Sequence, residues 1–95
     1  MTESPRQLAE KRITLSAEYS TLSETLSQIL TFKAKKWIEL RTDSKSASEA
    51  DKKWEMSPAG IEEMKTRLRL KAIEKELSAL RTMLSVLEGE ARNLI

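Results

Sequence analysis

The chain has 95 residues and a net charge of +2, with 34% of its residues charged, 39% hydrophobic, two glycines and four aromatics. That length bounds it to one domain, and a single valine, Val86, excludes a sheet-based core in favour of long helices. Without cysteine or histidine it has no disulfide scaffold, thiol nucleophile or imidazole base, and so small a net charge does not by itself declare a nucleic-acid binder.

Ser4-Pro5 opens the first predicted helix. Serine supplies an N-cap oxygen, proline at the first helical position lacks an N–H that would go unpaired anyway, and Gln7 completes a capping box. Leu8, Leu15, Leu22 and Ile29 then recur every seven residues, with Tyr19 and Leu26 alongside, so one stripe of this helix is apolar. Leu30, Phe32, Trp37, Ile38 and Leu40 widen the stripe toward the C-terminal end, whereas Arg12 and Lys33 interrupt it. The helix is expected over about 5–41. Ser16, Ser20, Thr21, Ser23, Thr25 and Ser27 crowd its centre, and their hydroxyls compete for backbone partners. Two readings fit them: a weakly charged solvent face, or a face of small residues that another helix can approach closely.

The stretch 42–57 reads as a break, because Thr42 to Asp51 contains nothing apolar larger than alanine. Within it Ser46 and Glu49 can cap a short helix through Trp54, and a mobile loop fits equally. Ser57-Pro58 then repeats the Ser-Pro start, and a second long helix is expected over about 58–94, with Glu62 and Glu63 near its positive end. Its seam is an unbroken heptad: Leu70, Leu77, Leu84 and Ala91 at one position, Ile73, Leu80, Leu87 and Leu94 at the other. Glu63–Arg67 and Glu88–Arg92 are spaced as helical ion pairs. Gly89 inside this helix, four residues after Ser85, fits either a close helix crossing or simple tolerance near an end.

Two helices of matched length joined by a flexible segment predict an all-α fold, an antiparallel coiled-coil hairpin forming one domain over 1–95. Two helices alone leave much of each stripe uncovered, so a homodimer forming a four-helix bundle is expected. The residues expected in that interface are Leu15, Leu22, Leu26, Ile29, Leu70, Ile73, Leu77, Leu80, Leu84 and Leu87.

Charge and aromatics gather at the hairpin's turn. Residues 33–71 hold eleven basic and seven acidic groups, and Phe32, Trp37 and Trp54 lie in or beside that stretch, both tryptophans following Lys-Lys. Lysine neutralises phosphate and indole stacks on bases, so Lys33, Lys35, Lys36, Trp37, Arg41, Lys52, Lys53 and Trp54 are candidates to bind a partner protein or single-stranded nucleic acid. The competing reading has the tryptophans closing the end of the core and the lysines merely solvated.

No carboxylate pair converges, and the Gly-centred spacing of a calcium loop is missing, so no catalytic constellation and no cofactor are expected. No segment approaches the ~20 apolar residues needed to span a bilayer, and Met1 to Glu10 is polar, so no membrane partner and a cytoplasmic location are expected. The functional expectation is a non-enzymatic interaction module: an adaptor, assembly factor or inhibitor of a larger machine. The alternatives are a nucleic-acid-binding accessory protein acting through the basic turn, and a purely structural scaffold oligomer.

Overall fold

The computed structural model describes residues 3–93. They form three helices, α1 (Pro5–Thr42), α2 (Ala47–Met56) and α3 (Pro58–Asn93), with no strand among the described residues. Leu94 lies outside the described residues, and so does the last seam position with it.

Each start has the cap its sequence promises. The Ser4 hydroxyl accepts from the Gln7 N–H and the Gln7 side chain accepts from the Ser4 N–H, a complete capping box ahead of Pro5. Ser46 accepts from the Glu49 N–H, so the break contains a true helix of ten residues rather than a loop. Ser57 ends α2 in an extended conformation, and its hydroxyl then accepts from the Gly60 N–H. One serine therefore closes one helix and opens the next.

The long helices run antiparallel. Three side-chain ties fix their register: Glu18 with Arg69 at 2.8 Å, Tyr19 with Glu74 at 2.8 Å, and Lys33 with Glu63 at 3.1 Å. Leu8, Leu15, Ile73 and Leu80 form the buried cluster at the open end, with Tyr19, Leu22, Leu77, Leu84 and Leu87 packed around it. Of the remaining heptad positions, Leu70 is buried and Ala91 is exposed. A second buried group, Ala50 and Trp54, sits where α2 folds against both long helices.

The result is a rod of 69 × 20 × 20 Å. Its radius of gyration of 20.1 Å compares with roughly 12 Å for a compact chain of this length. Between its two buried ends α1 is thinly covered, with Leu22, Leu26, Ile29 and Leu30 all only half-buried, while α3 keeps Thr66 and Leu70 buried. The seam residue of α3 midway between the Glu63 and Arg69 ties is Thr66, smaller than the leucines elsewhere on that seam. Thr66 is nonetheless buried, at 6% exposure.

Candidate functional site

The tip is built around one carboxylate. Glu63, with its side chain 12% exposed, accepts from Lys33 Nζ at 3.1 Å and from Trp54 Nε1 at 3.0 Å through Oε1. Through Oε2 it accepts from Arg67 Nε at 2.9 Å. Those donors come from α1, α2 and α3 respectively, so a single side chain joins all three helices. Burial alone would raise the Glu63 pKa, but hydrogen bonds from Arg67, Lys33 and Trp54 outweigh it and hold the carboxyl below its ordinary value. The Lys33 ammonium also lies 5.5 Å from the centre of the Trp54 ring, and Phe32 meets that ring at 6.1 Å in a tilted arrangement.

The two Lys-Lys-Trp segments play parallel parts. Trp37 donates its indole N–H to Asp51 of α2 at 2.9 Å, and Trp54 donates its own to Glu63 of α3. Each tryptophan thus ties its helix to the next one in the chain. Beneath them Gly60 permits the approach of α3 to α2: a β-carbon there would lie 1.8 Å from the Trp54 carbonyl oxygen. Gly89 is the opposite case, with open space where its β-carbon would be, so no close crossing within the chain calls for it.

The candidate residues of the turn are thereby divided. Lys33 and Trp54 meet, and Trp54 is 3% exposed, its indole enclosed by the three helices. Trp37 is half-buried. Lys36 pairs with Glu39 at 3.0 Å and Lys53 with Glu49 at 3.5 Å, while Arg41 donates to the Ser44 carbonyl at 3.3 Å. Lys35 and Lys52 are exposed on α1 and α2. Glu63, Gly60 and Asp51 are the tip residues that sequence reasoning missed. The spacing Glu63–Arg67 signalled only a local helical pair, and nothing in it signals the reach to Lys33 and Trp54.

The other candidate surface is the thin middle. A groove of about 940 Å³ runs from the tip toward the middle of the rod, lined by Tyr19, Leu26 and Lys33 of α1, Asp51, Trp54 and Glu55 of α2, and Gly60, Glu63, Met64, Arg67, Leu68, Leu70, Lys71 and Glu74 of α3. A second, of about 730 Å³, is lined by Tyr19, Ser23, Leu26, Ser27, Leu30, Thr31, Ala34, Lys35 and Leu70. Met64 and Leu68 are more than half exposed on the rim of the first. Of the ten residues expected in an oligomer interface, Leu15, Leu70, Ile73 and Leu80 are buried inside the hairpin itself. Leu22, Leu26, Ile29, Leu77, Leu84 and Leu87 keep part of their surface in solvent.

Toward the open end, Arg69 clasps Glu18 with two nitrogens, at 2.9 and 2.8 Å. Its hydrogen bond lowers the Glu18 pKa, and the same bond raises that of Arg69. Accepting the Tyr19 hydroxyl, the Glu74 carboxylate raises the phenol's pKa. Among the described residues no group of carboxylates is placed to hold a metal ion, and no helix is long and apolar enough to cross a membrane. No protein-family model, no curated protein and no solved structure matches the chain.

Proposed function

We propose that this chain is a non-enzymatic protein–protein interaction module, a helical hairpin that self-associates and binds helices through the half-covered middle of its rod. The observation that carries the reading is its surface. The chain exposes 7410 Å², whereas a compact folded chain of 10.8 kDa exposes roughly 5,500 Å². The excess of about 1,900 Å² is more than twice the ~800 Å² that one partner contributes to an interface of standard size. Part of it comes from leucines whose other faces already pack on the hairpin, and apolar surface of that kind is what another helix covers.

The nucleic-acid reading draws on the cations of the tip. It has less support than the helix-binding one, because Trp54 has almost no face on which a base can stack and Lys33, Lys36, Lys53 and Arg41 already have partners.

Sedimentation equilibrium at two salt concentrations, with and without a labelled single-stranded oligonucleotide, tests the choice. A dimer indifferent to salt and to the oligonucleotide is the expected result. A chain that stays monomeric at every concentration refutes self-association. A nucleoprotein complex that forms at low salt and dissolves at high salt overturns the reading in favour of phosphate binding.

A further inference from the structure

We propose that the face of α3 turned away from the buried core binds an acidic amphipathic helix of a partner protein. This site is separate from the half-covered middle described above and does not depend on self-association.

Spacing is the first argument. Ile61, Met64, Leu68, Lys71 and Lys75 follow one another at intervals of three, four, three and four, so they form a second seam along α3. At about 100° per residue this seam runs on the opposite side of the helix from Ile73 and Leu80, which pack in the core with Leu8 and Leu15 of α1. All five residues of the second seam are exposed. A lone exposed apolar side chain is ordinary on a surface. Here three consecutive seam positions are apolar and 38%, 54% and 60% exposed, a row of the kind that another helix covers.

Charge is the second argument, and it selects the occupant. Of the acids that α3 carries before Val86, Glu63 is held by Lys33, Trp54 and Arg67, Glu74 by Tyr19 and Glu76 by Arg69. The remaining one, Glu62, lies roughly 160° around the helix from Met64. The ion pairs of α3 leave Lys65, Lys71 and Lys75 without a carboxylate among the described residues. A helix seated on this seam therefore meets Ile61, Met64 and Leu68 toward the tip and ammonium groups toward the middle. Apolar residues at one end and carboxylates at the other complement it. A bilayer fits less well, because Lys71 and Lys75 stand in the seam itself and not along its margins, where their stems could reach the head groups.

Relief is the third. Met64, Leu68 and Lys71 also border the larger groove, and a ridge beside a channel is the surface on which helices interlock.

Fluorescence anisotropy with a labelled synthetic peptide tests the proposal. The peptide carries leucines at three-four spacing in one half and glutamates at the same spacing in the other; its counterpart has lysine for every glutamate. The glutamate peptide should bind saturably and weaken with salt, and the counterpart should bind about tenfold more weakly or less. Leu68→Glu, at a position 60% exposed, should keep the helical circular dichroism and weaken the glutamate peptide by about tenfold or more. Lys71→Glu combined with Lys75→Glu should do the same and should gain affinity for the lysine counterpart. Leu26→Asp, on the separate face of α1, should leave peptide binding unchanged.

No saturable binding of the glutamate peptide up to about 1 mM protein, or equal binding of both peptides, overturns the acidic-helix assignment. Binding that survives in Leu68→Glu and in the paired lysine variant overturns this face. Capture of phosphatidylserine vesicles or of a single-stranded oligonucleotide that is lost in Leu68→Glu gives the face to lipid or to phosphate and overturns the proposal too. A wild-type chain that stays monomeric refutes self-association alone and leaves this site standing.

Discussion

Gly60 and Gly89 lie in the same helix, and the same substitution should move them in opposite directions. In a helix interior, glycine to alanine gains up to ~1 kcal/mol from backbone entropy alone. At Gly89 nothing lies within 4 Å of the added β-carbon, so that gain should appear, reduced to about 0.5 kcal/mol by the nearby helix end. At Gly60 the β-carbon would sit 1.8 Å from the Trp54 carbonyl oxygen and 2.7 Å from its carbon. These are main-chain atoms, so no side-chain rotation relieves the clash. The C-terminal end of α2 would have to retreat by roughly 1 Å or more before carbon and oxygen reach a tolerable distance. That retreat loosens Trp54 and stretches its bond to Glu63, an overpacking penalty of ~1–3 kcal/mol that outweighs the propensity gain. Thermal melts followed by circular dichroism at 222 nm should therefore show Gly89→Ala slightly raised. Gly60→Ala should fall by several degrees, at roughly 4–8 °C per kcal/mol for a domain this small. A Gly60→Ala midpoint equal to or above wild type would refute the close approach of α2 to α3.

Other consequences are equally direct. Glu63→Gln keeps the shape but loses the charge that Lys33, Trp54 and Arg67 share, and should cost about 1–3 kcal/mol in urea unfolding at neutral pH. Since folding holds the Glu63 pKa below its unfolded value, its stabilisation is complete above that unfolded value and fades as pH falls through the folded one. Wild type should thus lose stability below about pH 5, and Glu63→Gln should lose less over the same range; parallel pH curves would count against the assignment. Leu80, at 4% exposure, should cost ~2–5 kcal/mol when cut to alanine, whereas Leu26→Asp should leave the hairpin folded and abolish the dimer in sedimentation. In a Trp37→Phe background the emission of Trp54 should be blue-shifted and resist iodide, given its 3% exposure; strong quenching would mean that the tip is open.

The long helices were legible because their signals are local and redundant. Ser4, Pro5 and Gln7 fix one start and Ser57-Pro58 another, and the leucine spacing marks the buried stripe whatever lies against it. The break was harder. Ala47–Met56 has few large apolar residues, so its pattern alone leaves helix and loop level, and only Ser46 with Glu49 leans toward the helix. Its docking depends on Trp54, whose burial needs α1 and α3 together. The Glu63 junction was beyond reach for the same reason. A glutamate with an arginine four residues on describes many solvated helices, and the donors that distinguish this one come from residues 30 and nine positions away in sequence. Gly60 was silent because a missing side chain shows its meaning only beside its neighbour.

The distribution of order along the rod bears on where a partner could bind. A two-helix hairpin closes its seam only where both helices offer large side chains at the same level, and here they do so at the open end, through Leu8, Leu15, Ile73 and Leu80. At the other end the seam is thin, and α2 compensates by bringing Trp54 and Ala50 down onto the long helices under the hold of Glu63. Between them α3 still buries Thr66 and Leu70, while Leu26 and Leu30 of α1, beside Ser23 and Ser27, are half-buried. On the α1 side Ser23 and Ser27 give Leu26 and Leu30 little cover, and their small size would let a helix come close. The half-buried leucines and their small neighbours are what lead us to propose that another helix covers this side of the core.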